Sequence, residues 1–319
     1  LDQHLLMLEE AKKRDHRKLG KELDLFHVSD LIGGGLPLIT PRGSVIRELL
    51  CEYSQALQRK GGFKRVWTPH IAKVDVYKAS GHYDKYPERF EVTSEESDDL
   101  FMMKPMNCPH HIQLFVREPH SYRDMPVRYM ENTTNYRDEK SGELHGLSRV
   151  RSLSQDDGHI FCRENDVENE IRSITQMVVD MYAALGMQFY ARLSYRDNED
   201  KYLGSDEIWN KAEAAIAKVA REFSFKSVDG PGEAAFYGPK IDFMVKDSLG
   251  REWQCATIQL DFVQPQRFEL EYTDENGEKQ RPVMIHKALL GSIERFMSVY
   301  IEHTAGRFPF WLAPEQVRI

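Results

Sequence analysis

The sequence predicts an α+β fold in which an antiparallel β-sheet is flanked by helices. Two hairpins and three amphipathic helices carry that prediction. Tyr129 to Cys162 reads as a strand, a polar Gly-containing loop (Lys140 to Gly146) and a second strand, and Ile241 to Phe262 repeats the pattern around a turn at Asp247 to Gly250. Apolar residues at helical spacing fill Ser44 to Lys60, Glu164 to Met187 and Ser205 to Phe223.

Bulk properties agree with a globular domain. The chain has 319 residues, 41% of them hydrophobic and 11% aromatic, enough for a sizeable core in one large domain or two ordinary ones. No apolar run approaches the ~20 residues of a membrane span. The amphipathic N-terminus lacks the layout of a signal peptide, so no membrane partner and a cytoplasmic location are expected. Four scattered cysteines show no framework spacing, which leaves reduced thiols or a metal ligand. The net charge of −8 speaks against a basic surface, so any nucleic-acid contact has to rest on local basic positions.

In chain order, Asp2 to Leu25 forms an amphipathic surface or linker helix through Leu5, Leu8, Leu19 and Leu23. Gly33-Gly34-Gly35 is a turn; it lacks the Lys-Ser/Thr of a P-loop and follows no clear strand. Thr40-Pro41 opens the next helix, Gly61-Gly62 closes it, and Phe63 to Pro69 is a strand ended by proline. Leu100 to His111 is a strand running into a turn that bears Cys108. The second strand of the first hairpin places Arg149, Arg151, Gln155, Asp157 and His159 at one parity, hence on one face. That face is either a solvated outer surface of paired charges or a binding surface. Gln188 to Arg196 is a further strand. Ser205-Asp206-Glu207 is a helix start, and Pro282 to His286 is a strand leading through Gly291 into a helix from Ser292.

Arg137-Asp-Glu139, a long loop, then RVR, QDD and HIFC resembles the second signature motif of class II aminoacyl-tRNA synthetases, in the version of the threonyl-tRNA synthetases. KPMNCP at 104–109, SGHYDKY at 80–86, AFYGPK at 235–240 and WQCATIQLDF at 253–262 resemble further segments of that family. GSIERF at 291–296 looks like the third motif, and Ser44 to Pro69 looks like the degenerate first. The resemblance runs from about Asp24 to the C-terminus. It departs from the family at His110, which stands where Gly is usual and adds a competing imidazole beside Cys108, at Leu153-Ser154, and at Asn132 to Asn135.

The resemblance implies an enzyme that activates threonine with ATP and transfers it to tRNA(Thr). It implies zinc on Cys108, His159 and His286, and Mg²⁺ with ATP. Arg137 and Arg295 would hold the reacting anions, Glu139 the adenine, and Arg149 and Gln259 further parts of the nucleotide site. Gln155, Asp157, Tyr237 and Thr257 would face the amino acid, Lys240 would stand beside the adenylate, and His82 would assist transfer to tRNA. It also implies a homodimer through 44–69, a linker helix over 1–25, a catalytic domain over 26–308, and the start of an anticodon-binding domain over 309–319. Opening on Leu1, the sequence reads as a segment of a longer chain. Prolyl- and seryl-tRNA synthetases share the fold but fit the Cys-His-His set less well. The alternative is a catalytically silent module that binds amino acid or tRNA.

Overall fold

The computed structural model describes residues 9–197, 201–247 and 250–317. Its frame is an eight-stranded sheet. The strands are β1 (Lys64–Arg65), β2 (Val127–Tyr136), β3 (Ser152–Cys162), β4 (Phe189–Tyr195), β5 (Ser227–Pro231), β6 (Lys240–Lys246), β7 (Glu252–Asp261) and β8 (Val283–Ser292), in spatial order β5-β4-β6-β7-β8-β3-β2-β1. The six central strands pair antiparallel as predicted. Both outermost pairings are parallel, β5 on β4 and β1 on β2, which the sequence reading did not anticipate.

Helices cover the sheet where the apolar periodicity required them. They are α1 (His16–Glu22), α2 (Pro41–Lys60), α3 (Cys108–Val116), α4 (Val167–Ala184), α5 (Asp206–Glu222) and α6 (Ile293–Thr304). Four of the six starts follow capping chemistry: the side chains of Asp15, Thr40, Ser205 and Ser292 each accept a hydrogen bond from a backbone N–H in the first turn. Helix α2 buries Ile46, Leu50 and Cys51, and α4 buries Ile171, Ile174, Val178 and Met181, in one continuous core with the back of the sheet. Each such aliphatic side chain contributes roughly 1.5–3 kcal/mol by leaving water. A second core cluster under α3 includes Ile112, Phe115, Phe161 and Met284.

Several boundaries differ from expectation. The N-terminal helix is helical over 9–14 and breaks at Asp15, because a carboxylate that caps the next helix sits outside both; residues 1–8 of that predicted helix lie outside the described residues. Phe63 to Pro69 contributes only Lys64–Arg65 to the sheet. Cys108 is the first residue of α3 rather than part of a turn, with Pro109 in the first helical turn, where its missing N–H costs nothing. The predicted turn over 247–250 falls partly outside the described residues. No helix among the described residues is long and apolar enough to cross a membrane.

Candidate functional site: a metal-ligand cluster on the sheet

Antiparallel register builds the site in transverse rows. Lys240 lies opposite Gln259, Gln259 opposite His286, His286 opposite His159, and His159 opposite Tyr129. Two residues along, Asp242, Thr257, Ala288, Asp157 and Glu131 form a parallel row. Cross-strand neighbours of this kind stand about 4.5–5.5 Å apart at Cβ, so residues scattered through the sequence meet on one face. Helix α3 and the segment around His82 roof a cavity of ≈ 110 Å³ over this floor. Among the described residues, larger hollows exist at the surface, such as one of ≈ 660 Å³ between α2 and α4, but none brings together this chemistry.

Ten of the residues singled out from the sequence line the cavity: His82, Cys108, Arg137, Gln155, Asp157, His159, Tyr237, Thr257, Gln259 and His286. Cys108, His159 and His286 are buried and offer ligand atoms that all lie within 4.8 Å of one another. In a tetrahedral zinc site, with Zn–S near ~2.3 Å and Zn–N near ~2.0–2.1 Å, ligand atoms stand roughly 3.3–3.6 Å apart, so the set would draw in to hold an ion.

Hydrogen bonds around the cluster decide which nitrogen each imidazole offers. His286 Nε2 sits 2.8 Å from the buried Asp261 carboxylate, so it carries the proton and leaves Nδ1 as the lone-pair donor. His159 Nδ1 lies 2.8 Å from His111 Nδ1, and His111 Nε2 lies 3.2 Å from Glu131. With the His111 proton on Nε2, directed to the Glu131 carboxylate while Asn107 Nδ2 stands 3.0 Å from the same nitrogen, His111 accepts at Nδ1. His159 therefore donates from Nδ1 and keeps the lone pair on Nε2. Burial, followed by the fields of His111 and His286, holds His159 neutral, well below the usual imidazole range. Burial pushes the Cys108 thiol up, so a bound cation is what would make it a thiolate. Asp157, also pushed up by burial, lies 3.7 Å from His159.

The remaining walls carry hydrogen-bond groups. Tyr237 stacks on His286 with ring centroids 4.9 Å apart and donates a short hydrogen bond to Gln259. Gln155 accepts from Asn135 at 2.6 Å. Arg137 reaches into the cavity past the Tyr86 ring, 5.6 Å from its centroid. His82 is buried, not a surface histidine. Its Nδ1 is 2.8 Å from Ser80 Oγ and its Nε2 3.9 Å from Cys108 Sγ, and burial brings its pKa to about 3.

Four expected residues stand outside the cavity. Lys240 pairs with Asp242 at 3.1 Å. Arg149 pairs with Glu139 and Glu143, each at 2.9 Å, and does not stand beside Gln155. The reason is that the regular strand starts at Ser152, so the parity argument does not extend back to Arg149 and Arg151. Arg295 is held through Nε by the Ser148 carbonyl at 3.0 Å. Its pKa lies below the usual guanidinium value through desolvation and the repulsion of Arg137 and Arg149, guanidiniums close enough to feel one another's charge. Clusters of that sort suit a polyphosphate.

Sequence reasoning also gave His110 the place beside Cys108. His110 instead bonds the Tyr77 hydroxyl at 2.8 Å, and the imidazole at the cluster is His111. Helical spacing carried the signal, since residues i and i+3 share a face and i and i+2 do not. Asp261 and Glu131 left no such trace.

Residues 89–304 match the family described as tRNA synthetase class II core domain (G, H, P, S and T). A threonyl-tRNA synthetase structure from Cryptosporidium parvum superimposes with a TM-score of 0.89 at 40% identity, covering 94% of this chain and 74% of that one. The chain belongs to the class II tRNA synthetases, in their threonyl branch. The threonine–tRNA ligase of Gloeobacter violaceus is 52% identical over all of this chain, which corresponds to 52% of the relative. The chain thus spans about half the length of the curated relatives it matches. The prolyl-tRNA synthetase of Giardia lamblia, with a TM-score of 0.73 at 15% identity, shares the fold.

Proposed function

We propose that this chain carries the amino-acid-activating core of a threonine–tRNA ligase, which joins threonine to ATP as threonyl-adenylate and then passes it to tRNA(Thr). The observation that carries this reading is the buried Cys108, His159 and His286 set facing Asp157, Gln155 and Arg137 in one cavity. In the first step a threonine carboxylate oxygen attacks the α-phosphorus of Mg²⁺-bound ATP, the bond to the bridging oxygen breaks, and pyrophosphate leaves. No proton has to move. Positioning and fixed charge would supply the catalysis: Arg137, which lines the cavity, would bridge carboxylate and α-phosphate, and Arg295 would hold the pyrophosphate end.

Zinc on the three ligands would supply open coordination positions for the amino and hydroxyl groups of the amino acid. Asp157 would accept the hydroxyl's hydrogen bond. A site built for a hydroxyl rejects valine strongly, whereas serine, lacking only a methyl, is discriminated by only ~1–3 kcal/mol. His82, neutral and 3.9 Å from Cys108 Sγ, would assist transfer. Dimerisation through 44–69, the linker role of 1–25 and an onward domain from 309 belong to the same proposal.

The test is ATP–pyrophosphate exchange on zinc-loaded protein with threonine, serine, valine and proline. Exchange with threonine, weaker exchange with serine and none with valine is the expected pattern. No exchange with any of them would overturn it in favour of a silent binding module.

A further inference from the structure

We infer that His16, far from the cavity in sequence and outside it in space, is a positioning residue that sets the affinity of the nucleotide site by clamping the loop between β2 and β3 onto α6. The inference rests on the proposed ATP site; the clamp itself is geometry. His16 is 1% exposed, although it stands at the first position of α1. Its backbone N–H donates to Glu302 of α6 at 3.0 Å, and its Nδ1 lies 2.6 Å from the same carboxylate. Because the carboxylate only accepts, Nδ1 carries the proton and Nε2 is left as an acceptor. That nitrogen takes a hydrogen bond from the Leu147 N–H at 3.1 Å.

The loop has been shaped around this imidazole. Gly146 has φ +50°, and a Cβ there would lie 2.2 Å from His16 Nε2, so only glycine lets the loop come down on the ring. His145 packs its ring edge against His16 with centroids 5.6 Å apart. One residue beyond Leu147, the Ser148 carbonyl accepts from Arg295 Nε, and Arg149 follows in the pair with Glu139. Arg295 and Glu302 lie two turns apart on α6 and so share a face. His16 therefore joins the loop to one end of that face while Ser148 joins it to the other. Loss of the Leu147 bond frees the loop that holds Arg295 in place, without touching the metal ligands or Asp157.

Two substitutions separate the halves of the clamp. His16→Asn keeps a donor near the Nδ1 position for Glu302 and loses the acceptor for Leu147; His16→Gln places its amide oxygen near the Nε2 position. Binding of Mg²⁺-ATP without threonine is measured by calorimetry, alongside KM for ATP and for threonine in the exchange assay. The net worth of one buried hydrogen bond puts the expected loss of ATP affinity in His16→Asn at about five- to tenfold, with KM for threonine unchanged. His16→Gln is expected within about twofold of wild type. Wild-type ATP affinity in His16→Asn, or equal losses in both variants, would show a merely structural residue. If the wild type itself binds no ATP, the proposed function falls and this inference with it; if it binds and only the variants behave alike, this inference falls alone.

Discussion

Asp261→Asn tests the hydrogen-bond control of the proposed metal ligands. Asp261 does two jobs at the end of β7. Its Oδ1 caps the following turn by accepting from the Val263 and Gln264 N–H groups at 2.8 and 2.9 Å, and its Oδ2 faces His286 Nε2 at 2.8 Å. Asparagine keeps the first job, because its oxygen will turn to the two N–H donors. Its NH₂ must then point at His286 Nε2, which can pair with it only as an acceptor. The imidazole proton moves to Nδ1, the atom that faces the cluster, and binding a cation requires the less favoured tautomer. Losing such a supporting carboxylate typically costs 10–100-fold in metal affinity, about 1.4–2.7 kcal/mol. The assay is zinc competition against a chromogenic chelator, with the visible absorption of the Co²⁺ form as a second readout and Cys108→Ala as the control that removes a ligand outright. Wild-type zinc affinity in Asp261→Asn, with Cys108→Ala impaired and both proteins folded, would refute the tautomer argument.

Two further predictions concern stability. Burial raises the pKa of the Glu131 carboxyl, but hydrogen bonds from His111 and Asn107, the charge of Lys104 and the Thr68 N–H outweigh it and hold the group at about 2. Because the folded value lies below the unfolded one, the stabilisation is complete above about pH 4.5 and fades as pH falls towards 2. After allowance for solvent screening it is roughly 2 kcal/mol. Thermal melts of wild type and Glu131→Gln between pH 6 and 3 are expected to converge, and a constant gap would contradict the assignment. Gly291 has φ +71°, and a Cβ there would meet the Cys255 carbonyl oxygen at 2.4 Å, a backbone atom that cannot step aside. Gly291→Ala should lower stability by about 2–4 kcal/mol in denaturant unfolding; a loss below ~0.5 kcal/mol would mean that the turn relaxes freely.

Local chemistry was legible in the sequence and long-range chemistry was not. Thr40, Ser205 and Ser292 announce helix starts because a cap is a contact within three residues. The two hairpins were readable for the same reason. Strand β5 was missed, since Ser227–Pro231 contains Gly and Pro and pairs parallel to β4 only after α5 has carried the chain across. Of the site, the ligand types were visible and the supports were not. Glu131 acts on His159 through His111, and Asp261 acts on His286 from a neighbouring strand, so neither role exists until the register is set. His16 shows the same limit more strongly, since nothing near it in sequence indicates that its ring will meet Glu302 and Leu147.

The pairing of β3 with β8 has a consequence for assembly. Asp156 of β3 accepts hydrogen bonds from Leu289, Leu290 and Gly291 of β8, partners as much as 135 residues distant along the chain. Closing a loop of that length is entropically costly and makes such a seam slow to form. The same seam brings His159 opposite His286. A chain that has folded either half alone therefore has no cation site, and any ion that binds the finished cluster draws the equilibrium towards the closed seam by mass action. Metal supply and the fraction of newly made protein that holds the closed seam would then be coupled quantities.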